Sequence, residues 1–401
     1  MTERPFISFH RPSIDEAEIQ AVAETLRSGW LTTGPRTAQF EQEFRDYVQA
    51  PQALAVNSCT AGLHLALAAL GVGPGDEVIT SPLTFCATVN CIHHVGATPV
   101  LADIDAAGNL DPGSVADRIT DRTRAVIPVH FAGLPCEMNT IWTLARQRGI
   151  HVVEDAAHAV GAHYRGNPIG AGNPANGDSS AAVAFSFYAT KNLTTGEGGM
   201  ITCHSAELAD RMKVLCLHGI SKDAWNRYSD KGNWYYEVVE NGFKYNLSDI
   251  QSTIGIQQLR KQEQFLERRK KYADYYSSVL GSVDEVEIPR EWDYCRHAWH
   301  LYVVRLELAA LSISRGEFIE HLRQRGIGAS VHFIPIYEHP CFADLALDIE
   351  KHCPTAVGMC PRLISLPLYP ALTLEQVHYI ASTVKEVARE YRRTRLFAAA
   401  G

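Results

Sequence analysis

In the stretch FSFYATKNLTTGEGGM, residues 185–200, Lys191 follows an apolar run and precedes a glycine-rich turn. Lysine is rarely buried without a partner, so this placement has two readings. The side chain is either a solvated loop residue or an amine in an apolar pocket, less basic than usual and able to form a Schiff base with an aldehyde. Asp155, in IHVVEDAAHAVG, ends a second run that is too apolar to leave a carboxylate without a cation or several donors. It reads as the N-cap of a helix beginning at Ala156 or as the partner of a protonated pyridine nitrogen.

Other candidates fall at similar places. In NSCTAGLHLAL a run ends, Ser58, Cys59 and Thr60 follow, and a helical pattern begins, which makes an anion site or merely a capped helix. Phe85 follows the run EVITS and could cover one face of a flat cofactor or join the core. His158 lies three residues past Asp155, on the same face if that segment is helical, and Ser186 precedes Lys191. Each is ambiguous alone. Together an anion cradle, a ring cover, a carboxylate, a hydroxyl and a lysine describe a pyridoxal phosphate site.

The elements that must carry these residues are short apolar runs alternating with helical stretches: ALAVN, EVITS, TPVLADID, RAVIPVH, IHVVEDAA, AVAFSF and GGMITC. That alternation predicts a doubly wound α/β unit, a mostly parallel sheet covered on both faces, with ligands at the carboxyl ends of the strands. The segment YNLSDIQSTIGIQQLRKQEQFLERRKKYADYYSSVLG reads as a helix connecting to a smaller α+β unit. In that unit AWHLYVVRLEL and ASVHFI read as strands, and RGEFIEHLRQRG and LEQVHYIASTVKEVAREY as helices. We place the large domain at 18–258 and the small one at 259–401 together with 1–17. GNPIGAGNPANGDSS reads as a surface loop, and 219–242, rich in Trp, Tyr and Asn, as a loop that tunes substrate choice.

The 401 residues are 46% hydrophobic and 20% charged, enough to fold around real cores. The net charge of -8 disfavours a nucleic-acid binder, and the run from Glu267 to Lys271 reads as one solvated helical turn. No signal-like start and no run of membrane-spanning length is evident, so a cytoplasmic protein without membrane contact is expected. Ten cysteines without a CxxC pair offer neither a zinc site nor a dithiol motif, and no metal is expected.

The strings SGWLTTGP, NSCTAGLHLAL, GDEVITSPLTFCATVN, VVEDAAHAVG, FSFYATKNLTTGEGG, GFKYNLSDIQSTIGIQQL and HAWHLYVVR, from about Ser28 to Pro370, strongly resemble the DegT/StrS family of nucleotide-sugar aminotransferases. The resemblance is nearest to members that aminate carbon 4 of a UDP-linked 4-keto sugar, of the 4-amino-4-deoxy-L-arabinose type. It implies the aspartate-aminotransferase-like fold (pyridoxal phosphate fold type I), with a seven-stranded, mostly parallel sheet. It makes Lys191 the Schiff-base lysine and proton carrier, and Asp155, with Ala157 beside it, the carboxylate on the ring nitrogen. His158, often Gln elsewhere, then reaches the phenolic oxygen or the phosphate side, Phe85 stacks, and Cys59, Thr60, Ala61 and Ser186 cradle the phosphate.

The resemblance further implies a homodimer with shared sites, in which the partner's GFKYNLSD loop reaches the phosphate. Many members have Asn where Lys244 stands and Arg where Asn246 stands, so the contact is assigned to Asn246 with Lys244 as the alternative. Thr33, Tyr188 and His332 match positions near the sugar; outside the resemblance, Thr33 is simply a turn residue. Related dehydratases replace the lysine by histidine, whereas this chain keeps Lys191, which favours transamination. The expected activity is a ping-pong transfer from an amino acid, L-glutamate, to the C-4 keto group of a UDP-linked sugar. Amination at C-3 or of a cyclitol ketone, and a non-catalytic cofactor-binding regulator, are the alternatives.

Overall fold

The computed structural model describes residues 5–171, 180–221 and 235–393. The loop expected at 166–180 and the one at 219–242 therefore lie partly outside the described residues.

Seven strands form the main sheet: β1 (Gln52–Val56), β2 (Glu77–Thr80), β3 (Thr98–Leu101), β4 (Thr123–Ile127), β5 (His151–Asp155), β6 (Ala182–Ser186) and β7 (Gly199–Cys203). Their spatial order is β1-β7-β6-β5-β4-β2-β3. Neighbours from β3 across to β6 pair parallel, whereas β7 runs against both β6 and β1. The expected seven-stranded, mostly parallel sheet is therefore present, and β5, which ends on Asp155, is its central strand.

Most strand residues are apolar because both faces are covered. Adjacent residues point to opposite sides, so Ala55, Val152, Val183 and Met200 join one core while Leu54, Val153, Ala184 and Ile201 join the other. The first core is closed by α2 (Pro35–Val48), α6 (Met138–Arg148) and α8 (Asp249–Arg260). The second is closed by α3 (Cys59–Ala69), α4 (Cys86–His94) and α7 (Ala206–Cys216). Of the remaining early helices, α1 (Glu16–Ser28) rests on α8, where the Thr25 and Thr253 hydroxyls meet at 3.1 Å, and α5 (Pro112–Arg118) precedes β4.

A separate core gathers Ile7 with residues between 272 and 388. It includes the antiparallel sheet β8 (Val286–Glu287), β9 (Tyr302–Leu306) and β10 (Leu363–Leu366), packed by α9 (Gln262–Leu280), α10 (Arg315–Gln324) and α11 (Leu374–Glu390). The buried stripe of α11, Val377, Ile380, Ala381, Val384 and Val387, follows the helical period. Ile7 is tied in by backbone bonds to Gly326 and Gly328, each 2.8 Å long.

Three expectations change. The single connecting helix is two helices, α8 and α9, that break at Lys261. The charged run 267–271 is not one solvated turn, because Arg269 falls on the buried stripe of α9 with Phe265, Tyr272 and Tyr276. Its guanidinium, buried without a carboxylate, donates to the carbonyls of Trp299, His300 and Leu368 at 3.1, 3.2 and 2.7 Å. ASVHFI is not a strand: Ser330 alone bridges to Ser365, after which the chain leaves the sheet and carries His332 and Phe333 to the site.

Candidate active site

The carboxyl ends of β1, β2, β5 and β6 open onto one cavity of about 620 Å3. From these ends come Ser58, Thr84, Phe85, Asp155 and Ser186; from the opposite side come Phe9, His10, His300, His332 and Phe333. This is where an open α/β sheet places a ligand, since helices cover both faces but not the strand ends.

Lys191 sits in the connection between the antiparallel strands β6 and β7. Phe187 donates to Gly198 O (2.9 Å), Thr195 donates to Phe187 O (2.9 Å), and Tyr188 bridges to Gly196. Gly196 has φ +82°, which a side chain would resist, so the turn requires glycine there. The next residue, Asn192, is buried and donates to Ala298 O at 2.7 Å, pinning the loop to the segment that carries His300. Lys191 itself is half-buried, its remaining surface on the cavity wall. Burial lowers its amine from the usual lysine range to about 8, only partly opposed by the negative charge of Asp155.

Asp155 is buried as the last residue of β5, and a turn, not a helix, follows it, so neither the N-cap role nor a helical face shared with His158 applies. Burial pushes its carboxyl up; Thr88 Oγ1, which donates to Oδ2 at 2.8 Å, the Ala157 N–H, 3.1 Å from Oδ1, and the charge of Lys191 oppose this.

Ser58 caps α3, its Oγ accepting the Ala61 N–H at 3.1 Å. Ala61 is therefore occupied with the cap and off the cavity wall, while Cys59 and Thr60 line the cavity at the positive end of the helix, where backbone N–H groups lack intrahelical acceptors. This end comes so close to β7 that a Cβ on Gly199 would lie 2.7 Å from Ser58 C and 2.8 Å from Cys59 N. Burial keeps the Cys59 thiol well above its ordinary range, so it acts as a small apolar residue.

The opposite wall is aromatic and imidazole. His158 packs 4.3 Å from His300 and stacks on Phe333 at 5.7 Å, while His332 stacks on Phe9 at 5.2 Å. Burial holds His10 and His332 down to about 4, and His158 and His300 well below the ordinary histidine value, with Lys191 adding to each. All four rings are neutral at pH 7. The Asn192 amide donates to Ala298, so its oxygen faces His300 Nδ1 at 3.1 Å and that nitrogen carries the proton.

The chain thus brings Cys59, Thr60, Phe85, Asp155, Ala157, His158, Ser186, Tyr188, Lys191 and His332 to one cavity. Thr33 and Asn246 are elsewhere in this chain. The Asn246 amide donates to Thr33 Oγ1 at 2.6 Å, Lys244 donates to Asn246, and Thr33 and Asn246 line a separate pocket of about 260 Å3. Their loop is held by buried Asp249, which accepts from the N–H groups of Gly34, Arg36 and Thr37 at 2.7, 3.0 and 2.9 Å. Sequence reasoning missed His10, His300, Phe333 and Thr88. Thr84 and Thr88 at helical spacing after β2 carried some signal; the others lie in segments whose proximity to Lys191 is purely tertiary.

A phosphorylated pyridine aldehyde fits these residues. A helix end without a side chain behind it would take the phosphate, the buried carboxylate the ring nitrogen, and a lysine of lowered basicity the aldehyde. The Phe85 ring, 58% exposed, is open to cover one face, and the buried Nδ1 of His158 has no hydrogen-bond partner among the described residues.

Residues 12–385 match the model of the DegT/DnrJ/EryC1/StrS aminotransferase family. The chain belongs to this family. It is 47% identical over 386 residues to the spore coat polysaccharide biosynthesis protein SpsC of Bacillus subtilis, covering 96% of this chain and 97% of SpsC. Among solved structures it resembles Spr1654 of Streptococcus pneumoniae in its pyridoxal phosphate form, with TM-score 0.87, 34% identity and coverage of 96% and 99%. It also resembles Helicobacter pylori PseC, an aminotransferase involved in pseudoaminic acid biosynthesis, with TM-score 0.87, 29% identity and coverage of 97% and 100%. Spr1654 is known in a pyridoxamine phosphate form as well, at TM-score 0.88. This DegT-family chain is thus an aminotransferase whose cofactor is pyridoxal phosphate. Among its described residues no helix is long and apolar enough to cross a membrane, and no group of three or more His, Cys, Asp or Glu could hold a metal.

Proposed function

We propose that this aminotransferase moves the amino group of L-glutamate to the keto carbon, C-4, of a UDP-linked sugar. The observation that carries the reading is the shared cavity of Lys191 and Asp155 beside the N-terminus of α3. That the solved relatives include PseC and that SpsC serves polysaccharide biosynthesis supports a sugar acceptor.

Pyridoxal phosphate, when bound, supplies the aldehyde that takes the amino group and the ring that accommodates the electrons released on deprotonation. Lys191 would hold the cofactor at rest. With its basicity lowered to about 8, the Lys191 amine in the same cavity could take a proton and give it back near neutral pH. Asp155 would keep the ring nitrogen protonated, the Cys59 and Thr60 N–H groups and the Ser186 hydroxyl would hold the phosphate, and Phe85 would exclude water from one ring face. His158 would reach the phenolic oxygen or phosphate side. Tyr188 and His332 line the cavity wall and would face the sugar.

A second copy completes the site in this reading, its Asn246 reaching the phosphate of the first and Thr33 the sugar. The Thr33–Asn246 pair lies off the cavity of its own chain, beside the exposed apolar side chains of Trp30 and Leu31. We place the dimer in the cytoplasm.

The test is to incubate the cofactor-loaded protein with glutamate and a panel of nucleotide-linked keto sugars, and to read the product by NMR. Amination at C-4 of the UDP sugar is expected. Amination at C-3 or of a cyclitol only would overturn the acceptor assignment, and no amination of any panel member would remove the sugar reading. Light scattering tests assembly, where a fully active monomer overturns the shared site.

A further inference from the structure

Two threonines one helical turn apart stand behind Asp155. Thr88 Oγ1 lies 2.8 Å from Asp155 Oδ2 and 2.7 Å from Thr84 Oγ1, and all three side chains are buried. An ionised carboxylate only accepts, so the Thr88 proton goes to Asp155; with one proton per hydroxyl, the Thr84 proton must go to Thr88. The chain therefore runs one way, Thr84 to Thr88 to Asp155. Bonds in series polarise one another in a dry interior. The other carboxylate oxygen takes the Ala157 N–H, so one donor on each oxygen fixes the carboxylate plane. Thr84 precedes Phe85, the N-cap of α4, and Thr88 lies in its first turn, so a single turn supplies the ring cover and the support of the carboxylate.

We propose that Thr88, oriented by Thr84, is a positioning residue that keeps Asp155 ionised and aimed at the ring nitrogen of pyridoxal phosphate. Thr88 does not line the cavity, so it acts only through Asp155. The inference rests on cofactor binding at Lys191. Without the hydroxyl, a carboxylate this deeply buried draws the shared proton toward itself and leaves the ring less charged.

The experiment loads the full chain with pyridoxal phosphate labelled with 15N in the ring and compares wild type with Thr88→Val, Thr88→Ser and Thr84→Val. The ring-nitrogen resonance decides. In Thr88→Val it should move toward the unprotonated position, and the dissociation constant for the cofactor should rise about tenfold, as for one lost hydrogen bond to a charged group. Thr88→Ser should restore the wild-type resonance, and Thr84→Val should move it less, in the same direction. An unmoved resonance in Thr88→Val, or Thr88→Ser shifted as far as Thr88→Val, overturns the proposal. Should Thr88→Val fail to fold, the Thr84→Val resonance decides by the same criterion. A wild-type chain that takes up no cofactor overturns this inference together with the reading it rests on; uptake with unmoved variants overturns the inference alone.

Discussion

The two walls of the cavity are made of different chemistry. The wall built on the strand ends carries the charges, Lys191 and Asp155, beside the free N–H groups of α3. The facing wall carries His10, His300, His332, Phe9 and Phe333, with its imidazoles kept neutral by burial. Strand ends and helix starts offer backbone donors that can hold an ion, so covalent and proton chemistry can be anchored there. Segments leaving the small sheet offer rings and few free donors. They suit recognition of hydroxyls and flat surfaces.

The comparison breaks most sharply at Lys191. Lys191→Ala should lower turnover by roughly a thousandfold or more while leaving the melting temperature near that of the wild type, since no packing depends on the amine. Single-turnover assays beside thermal unfolding check both, and retained turnover would move the proton chemistry to the imidazole wall.

Gly199→Ala comes next. The new methyl would press on Ser58 C, Cys59 N and Phe185 O, all backbone, so α3 must shift at the point where it would meet phosphate. Cofactor affinity should fall roughly tenfold to a hundredfold, by analogy with overpacking costs of about 1–3 kcal/mol. Titration of the apo-protein with pyridoxal phosphate measures it. The same substitution should leave the environment of His332 unchanged by NMR.

The charge on Lys191 sets a pH dependence. Below its value of about 8 the amine is mostly protonated and cannot attack an aldehyde, so apo-protein should capture pyridoxal phosphate about tenfold more slowly per pH unit lost, with a plateau above about 8. Stopped-flow absorbance follows the capture. A rate flat from pH 6 to 9 would mean an amine already neutral throughout.

The smallest effect belongs to the facing wall. His10 and His332 stay neutral down to about 4 in the folded chain, whereas the unfolded chain binds their protons below about 6.5. Their contribution is complete above that pH and is lost as pH falls toward 4, by up to about 1.4 kcal/mol per unit for each ring. Urea unfolding at pH 7 and pH 5 should show this slope, and His332→Asn should reduce it. An unchanged slope would show a wall already open to water.

Legibility in the sequence followed the same division. Alternating runs made the sheet readable, and residues just past each run named the charged wall, because a strand's end in sequence is also its end in space. Ambiguity at Asp155 arose because an aspartate before a helix-like pattern resembles a cap; here a turn follows, and the carboxylate faces inward to Thr88. Arg269 was misread for a related reason. A basic run looks solvated until packing shows which side of α9 is covered.

By itself the sequence determined the local matters: the strand order along the large sheet's part of the chain, the capped start of α3, the Gly196 turn after Lys191, and an apolar bed for both charged residues. Those depend on side-chain period and backbone preference over a few neighbours. Only the tertiary structure decided that His10, His300 and His332 face Lys191, that Thr33 and Asn246 stand off that cavity, and that Arg269 is caged by carbonyls. Those placements come from packing between distant segments, where burial sets which protons each group keeps.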